Sequence, residues 1–354
     1  MNICPRIEVN LNKIRHNTKV LKELCEKSNI MLAGVTKVFC AIPEVAKEIV
    51  KGGVDMLADS RIENLKKLKD INIPKLLLRL PMNSRVEDVV RYADISLNSE
   101  LKTIESLSNE AIKQNKVHNI VLMVDLGDLR EGVWRSDVVD TVKEILKFKG
   151  VKLIGIGTNL TCYGGVIPSK ENLGWLSELA NTIEKEFGIT LEIISGGNSS
   201  SLHLLEKGEM PEKINHLRPG EAILLGRETA YGKVIKDTYQ DAFTFVAEII
   251  ELKEKPSIPI GEIGMDAFGN KPTFADKGIR KRAILAVGRQ DVSVENLIPI
   301  DKNIEILGAS SDHLILDVTD VQKDLKVGDE IRFNVEYGAL LQLSTSEYIH
   351  KSIQ

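Results

Sequence analysis

From about residue 30 to residue 230, short β-prone apolar runs alternate with longer segments of helical period. This repeat constrains the fold more than any other feature of the chain. The runs are Ile30–Lys37, Val54–Asp59, Lys75–Leu80, Ile95–Ser99, Asn119–Gly127, Val151–Asn159, Leu191–Gly197 and His216–Gly226. Several are apolar almost throughout, the pattern of parallel strands covered on both faces. Between them lie amphipathic stretches such as Ile42–Lys51, Arg61–Lys69, Leu101–Gln114, Asp137–Phe148 and Asn172–Phe187, with Lys and Glu on the polar faces. Eight such units count out a (β/α)8 barrel of the TIM type. A doubly wound sheet is the alternative, but no G-x-G-x-x-G follows the first run.

The pattern changes after about Tyr231. Ala242–Leu252, Ile279–Val287, Ile304–Leu307, His313–Val318 and Glu330–Val335 are strand-like, turns rich in Pro and Gly separate them, and long amphipathic helices are absent. The expected division is therefore a barrel over residues 10–230 and a mostly β C-terminal domain over 231–354. The strand-like Arg6–Asn10 is free to pair with either, so residues 1–9 are a possible addition to the second domain. A chain of 354 residues, 43% of them apolar, suffices for a large barrel plus a further domain.

A formal charge of −4 leaves no basic footprint for nucleic acid or an anionic membrane. No apolar run approaches the ~18 residues of a membrane span, and the opening MNICPRIEVN lacks the apolar core of a signal peptide. Cys4, Cys25, Cys40 and Cys162 are scattered without a C-x-x-C pair, and the six histidines show no paired spacing. Neither a disulfide framework nor a metal site is expected. The composition points to a cytoplasmic enzyme acting on a small molecule, without nucleic-acid or membrane partners.

Barrel enzymes place their chemistry at the carboxyl ends of the strands. Lys37 ends the first run there, after AGVT. A partly desolvated lysine favours the neutral, nucleophilic amine used in Schiff-base chemistry, although a lysine snorkelling to solvent reads the same way. The seventh run leads into Ser195-Gly196-Gly197-Asn198-Ser199-Ser200-Ser201 and a helix-like segment. Glycines admit a ligand to the backbone, and amides and hydroxyls at a helix start suit a phosphate. The eighth run carries Arg218-Pro219-Gly220-Glu221, and Arg130 follows the fifth run in VDLGDLREG. Each arginine alone reads equally well as a surface ion-pair residue.

Taken in order, these pieces resemble the alanine racemase family of pyridoxal 5′-phosphate (PLP) enzymes. VDLGDLREG is like the family's D-T-G-M-x-R-L-G, GTNL fits G-x-x-T-H, and GNSSS fits the phosphate-side N-S. LRPGEAILLG matches V-R-P-G-I-x-L-Y-G, and LDVTD followed by LKVGDEI matches V-D-V-T-D…V-G-D-E-V. The resemblance covers nearly the whole chain and is strongest with the branch that contains ornithine racemases. It implies that Lys37 holds PLP covalently and exchanges protons with the substrate Cα. It implies that Arg218 faces the pyridine nitrogen, and that Arg130 sits near the phenolic oxygen or the substrate carboxylate. Asn198, Ser199, Ser200, Gly220 and Glu221 would surround the phosphate, joined by Tyr348. An arginine facing the ring nitrogen implies a weaker electron sink than an acid there, which suits clean proton exchange. The resemblance also implies a homodimer with shared active sites.

Several positions depart from the family. Its catalytic tyrosine is Arg289 here, a poor general base, which leaves Asp291 or a tyrosine such as Tyr337 as the second acid/base. The tyrosine four residues after the lysine is Ala41, and the histidine after the sixth strand is Asn159, within the cofactor site. The C-M-D of the alanine pocket reads Ser310-Ser311-Asp312. The changes at Ala41, Asn159, Ser310 and Ser311 remove bulk, so a longer substrate is expected, with Asp312, Glu131 or Asp291 meeting a distal ammonium. The expected activity is interconversion of L- and D-amino acids, ornithine first. The alternatives are a basic-amino-acid decarboxylase of the same fold and a non-catalytic PLP homeostasis protein.

Overall fold

The computed structural model describes residues 3–354, which form two compact units. One is Leu11–Gln240; the other combines residues 3–10 with Asp241–Gln354. In the first, eight parallel strands close into a barrel: β1 (Met31–Val35), β2 (Met56–Asp59), β3 (Lys75–Leu77), β4 (Ile95–Asn98), β5 (His118–Asp125), β6 (Val151–Gly157), β7 (Ile193–Ser195) and β8 (His216–Leu217). Each strand pairs with the next, and β8 returns to β1, Leu217 opposite Leu32. The sheet therefore has no free edge.

The period-2 alternation of a strand sorts the apolar residues into two layers. Ala33, Val35, Met56, Ala58, Leu76, Ile95, Leu97, Val121, Met123, Ile154 and Ile193 fill the barrel. Ile120, Leu122 and Val124 of β5 point the other way and pack with Leu107, Val142, Leu176 and Ile183 of the surrounding helices. Burying both faces explains the unbroken apolar runs. The longest helix, Lys170–Phe187, starts at a capping box and stops at Gly188. Ser169 Oγ accepts the Asn172 amide at 3.1 Å, and Asn172 Oδ1 accepts the Ser169 amide at 2.8 Å.

The eighth run divides differently from its reading as one strand. Only His216–Leu217 is extended; Glu221–Leu225 is a short helix ended by Gly226 in the left-handed region. A five-residue apolar run does not distinguish a buried strand from a buried helix.

The second unit is a mainly antiparallel sheet. Its strands run in the order Leu297–Pro299, Glu330–Val335, Phe243–Pro256, Ile279–Leu285, Leu314–Asp317 and Glu305–Ala309. Arg6–Val9 joins this sheet, antiparallel to Phe243–Pro256 and parallel to His350–Ile353. A nine-residue helix, Tyr337–Thr345, also belongs to it. Among the described residues, no helix is long and apolar enough to cross a membrane.

Candidate active site

Lys37 opens the turn after β1, two residues beyond Val35, which with Ala33 faces the barrel interior. Its side chain is half-buried. The Val35 amide bonds the Pro219 carbonyl at 3.2 Å, which sets this strand end beside the turn after β8. Thr36, immediately before the lysine, donates its hydroxyl to Asp59 Oδ2 at 2.6 Å. Asp59 also accepts the Arg61 amide at 2.8 Å and Asn64 Nδ2 at 3.1 and 3.2 Å. Burial raises the Asp59 pKa, opposed by these bonds and by the charge of Lys37.

Arg218 is buried at the end of β8. One terminal nitrogen donates to Ser195 Oγ, and the other to the Thr158 carbonyl at 2.8 Å. Ser195 continues the inward phase of Ile193 and also bonds His216 Nδ1 at 2.8 Å. Burial lowers the Arg218 pKa to about 10, with the negative charge of Glu131 opposing the drop. The group is therefore cationic at neutral pH, and among the described residues no carboxylate lies within ion-pair distance of it. Burial and the Arg218 charge push His216 down to about 3, so its ring is neutral.

The loops after β6, β7 and β8 are cross-linked. Asn198 Nδ2 donates to the Leu160 carbonyl at 3.0 Å and to Asn159 Oδ1 at 3.2 Å, while Asn198 Oδ1 accepts the Ser200 amide at 2.7 Å. Ser199 Oγ accepts the amides of Gly220 and Ala222, both at 3.2 Å. Gly197, at φ +114°, makes the turn into this loop. Glu221 opens the helix after Gly220.

The groups left over point to a ligand. Ser200 Oγ, Thr158 Oγ1 and Asn159 Nδ2 are buried without hydrogen-bond partners, a condition that native proteins rarely tolerate. All three can donate, and Arg218 keeps three further N–H groups. The set fits an anionic group bound among the loops after β6, β7 and β8, together with an acceptor atom facing Arg218. A phosphorylated pyridine supplies both.

Arg130 lies in the loop after β5. Its Nε and one terminal nitrogen hold both carboxylate oxygens of Glu131, and that bond raises the Arg130 pKa. Gly132 holds the loop close to β5: at φ +135°, an added Cβ would stand 2.4 Å from the Asp125 amide nitrogen. Asp128 ties this loop to the next one, accepting the amides of Thr161, Cys162, Tyr163 and Val166 at 3.0–3.3 Å. Burial opposes the charge of Asp128, yet these donors hold its pKa below the usual range.

The remaining candidates belong to the second unit. Arg289 pairs with Glu295 Oε1 at 2.6 Å and stacks over Phe268. Its amide bonds the Ser310 carbonyl, and the Gln290 amide bonds the Ser311 carbonyl, both at 2.9 Å, so these two loops are joined. Asp312 Oδ1 receives the hydroxyls of Ser310 and Ser311 and His313 Nδ1, and His313 holds its pKa down. Buried Asp291 accepts the Ser346 hydroxyl at 2.7 Å. The Tyr348 amide bonds the same Ser346 oxygen at 3.1 Å, and the Tyr348 ring is exposed. Tyr337 begins the helix Tyr337–Thr345.

The sequence reading did not single out Asp59, Asp128, Thr158 or His216, and it named Ser195 only as the start of the Gly/Ser loop. Ser195 alone carried a usable signal, two residues beyond inward-facing Ile193.

A closed parallel barrel whose strand ends carry a lysine, a buried arginine and unpaired hydroxyls has the architecture of the barrel enzymes, whose phosphate sites recur after strands seven and eight. The family model "Alanine racemase, N-terminal domain" matches residues 9–228, and the chain belongs to that family. It is 55% identical over 350 residues to an ornithine racemase of Acetoanaerobium sticklandii, covering 99% of both chains. It is 45% identical over 354 residues to a lysine racemase of Thermotoga maritima, covering 99% of this chain and 98% of that one. Among solved structures, it is similar in fold to an alanine racemase from Bartonella henselae with covalently bound pyridoxal phosphate. That match has a TM-score of 0.76 and 17% identity over the whole of both chains.

Proposed function

We propose that this chain is a PLP-dependent racemase that interconverts L- and D-ornithine, acting in the cytoplasm as a homodimer with shared active sites. The observation that carries the substrate is the 55% identity to an ornithine racemase along the whole chain. Lysine is the second reading, favoured by the 45% identity to a lysine racemase.

In this reading residues 10–230 are the cofactor-binding barrel, and residues 231–354 with the N-terminal strand are the β domain. Bound PLP supplies the electron sink that makes the substrate Cα–H acidic. The Lys37 amine anchors the cofactor and moves a proton to and from Cα. Arg218 donates toward the pyridine nitrogen and, being unable to accept, leaves it without a proton. Asn198, Ser199, Ser200, Gly220 and Glu221, with Asn159 and Tyr348, surround the phosphate. The partnerless hydroxyl of Ser200 supports that assignment. Arg130 binds the cofactor's phenolic oxygen or the substrate carboxylate. Arg289, Asp291, Ser310, Ser311 and Asp312 form the substrate-side group of the β domain.

The test is to incubate the purified protein with PLP and single L-amino acids, then separate enantiomers by chiral chromatography. D-Ornithine is expected to accumulate faster than D-lysine or D-alanine. Carbon dioxide release from L-ornithine without a D-enantiomer would identify a decarboxylase instead. Light scattering should return about twice the chain mass of 39.3 kDa, and a monomer mass would remove the dimer from this reading.

A further inference from the structure

The Arg130–Glu131 pair joins neighbouring residues in a two-point ion pair, and it stands on a loop that cannot easily yield. Asp125 Oδ1 accepts the Gly127 amide at 2.8 Å and the Leu129 amide at 3.2 Å. Gly132 leaves no room between the loop and β5, and Asp128 fastens it to residues 161–166. Glu131 is largely buried while Arg130 is partly exposed, their side chains 18% and 42% accessible. The pair follows the carboxyl end of β5 by five residues and so stands on a loop at the mouth of the barrel.

A carboxylate already occupies the guanidinium that a substrate carboxylate would need. We propose that Glu131 is the selectivity residue for diamino acids: the substrate carboxylate replaces it on Arg130, and Glu131 in turn takes the distal ammonium. This inference rests on the racemase reading. Charge counting shows why the exchange discriminates. A diamino acid breaks one ion pair and makes two. Alanine breaks one and makes one, leaving the Glu131 carboxylate largely buried and unpaired, which is costly. Asp312 is less suited, since its Oδ1 is already engaged by three neighbours.

The experiment uses the holoenzyme and its Glu131→Gln, Glu131→Asp and Asp312→Asn variants. It compares kcat/KM for L-ornithine and L-alanine. It also measures calorimetric Kd values for α-methylornithine and 2-aminoisobutyrate, which bind without a Cα–H to lose. In Glu131→Gln, kcat/KM for ornithine should fall about 100-fold, and that for alanine should rise as Arg130 is released. The affinity advantage of α-methylornithine should collapse in parallel. Glu131→Asp keeps the charge and should retain most of the ornithine preference. Equal losses on both substrates in Glu131→Gln, or an ornithine-selective loss in Asp312→Asn alone, would overturn the proposal. If the wild type racemised neither substrate, the racemase reading would fail, while the ratio of the two Kd values would still decide the role of Glu131.

Discussion

The Thr36 hydroxyl donates to Asp59 Oδ2 at 2.6 Å, one residue before Lys37. Both groups are fully buried, so the bond fixes the end of β1 from the side of β2. Thr36→Val keeps the shape and removes the donor. Losing one bond to a buried charged group costs about 1–3 kcal/mol. The urea midpoint should fall with an unchanged slope. Because the lysine backbone is then less firmly held, kcat should fall more than KM rises. An unchanged midpoint would show that Asp59 is satisfied without Thr36.

Lys37 is expected to carry the cofactor. Borohydride reduction of the holoenzyme, followed by peptide mapping, should place a pyridoxyl group on Lys37. Lys37→Ala should lose both this label and racemase activity. A pyridoxyl group on another lysine in the wild type would refute the assignment.

Arg218 tests the character of the electron sink. Arg218→Glu replaces a donor-only group with one able to share a proton with the ring nitrogen. The new carboxylate would face the Thr158 carbonyl, which now receives an Arg218 N–H at 2.8 Å, so a lower melting temperature is expected as well. Racemisation should slow, and transamination, read as pyridoxamine phosphate by liquid chromatography, should increase. Unchanged rate and products in a folded variant would remove Arg218 from the cofactor site.

The barrel was legible because a two-sided parallel strand writes itself as an apolar run, and the place of Lys37 just past the end of β1 was legible because that run stops there. The supporting residues were not. Ser195 and His216 lie 21 residues apart and meet only because parallel pairing sets them opposite one another. Asp59 and Thr36 depend in the same way on the register of β1 against β2, in which Val35 faces Ala58. The helix Tyr337–Thr345 escaped because Ala339, Leu340, Leu341 and Leu343 leave it without a clear polar face. His350–Ile353 is four residues long, and its alternation is too brief to read.

Two buried histidines make stability pH-dependent. His118 bonds Ser96 Oγ at 2.8 Å and is pushed down to about 4, chiefly by burial, with Lys116 adding to the effect. His216 is pushed down to about 3. Both values lie below the ordinary histidine value of about 6.5, so between these limits the unfolded chain binds more protons than the folded one. Stability therefore rises with pH through this window, is fully present above about pH 6.5, and is lost as pH falls toward 4. Each fully titrating histidine contributes about 1.4 kcal/mol per pH unit, so the pair should remove roughly 2–3 kcal/mol between pH 6 and pH 5. Urea melts at these two pH values check this. Replacing His118 by Gln should leave a hydrogen-bonding group near Ser96 and remove about half of the difference. Burial raises the Asp59 pKa, so its protonation stabilises the fold in acid, a slope of opposite sign. A variant that kept the full pH 6-to-5 difference would show that His118 is not the group being titrated.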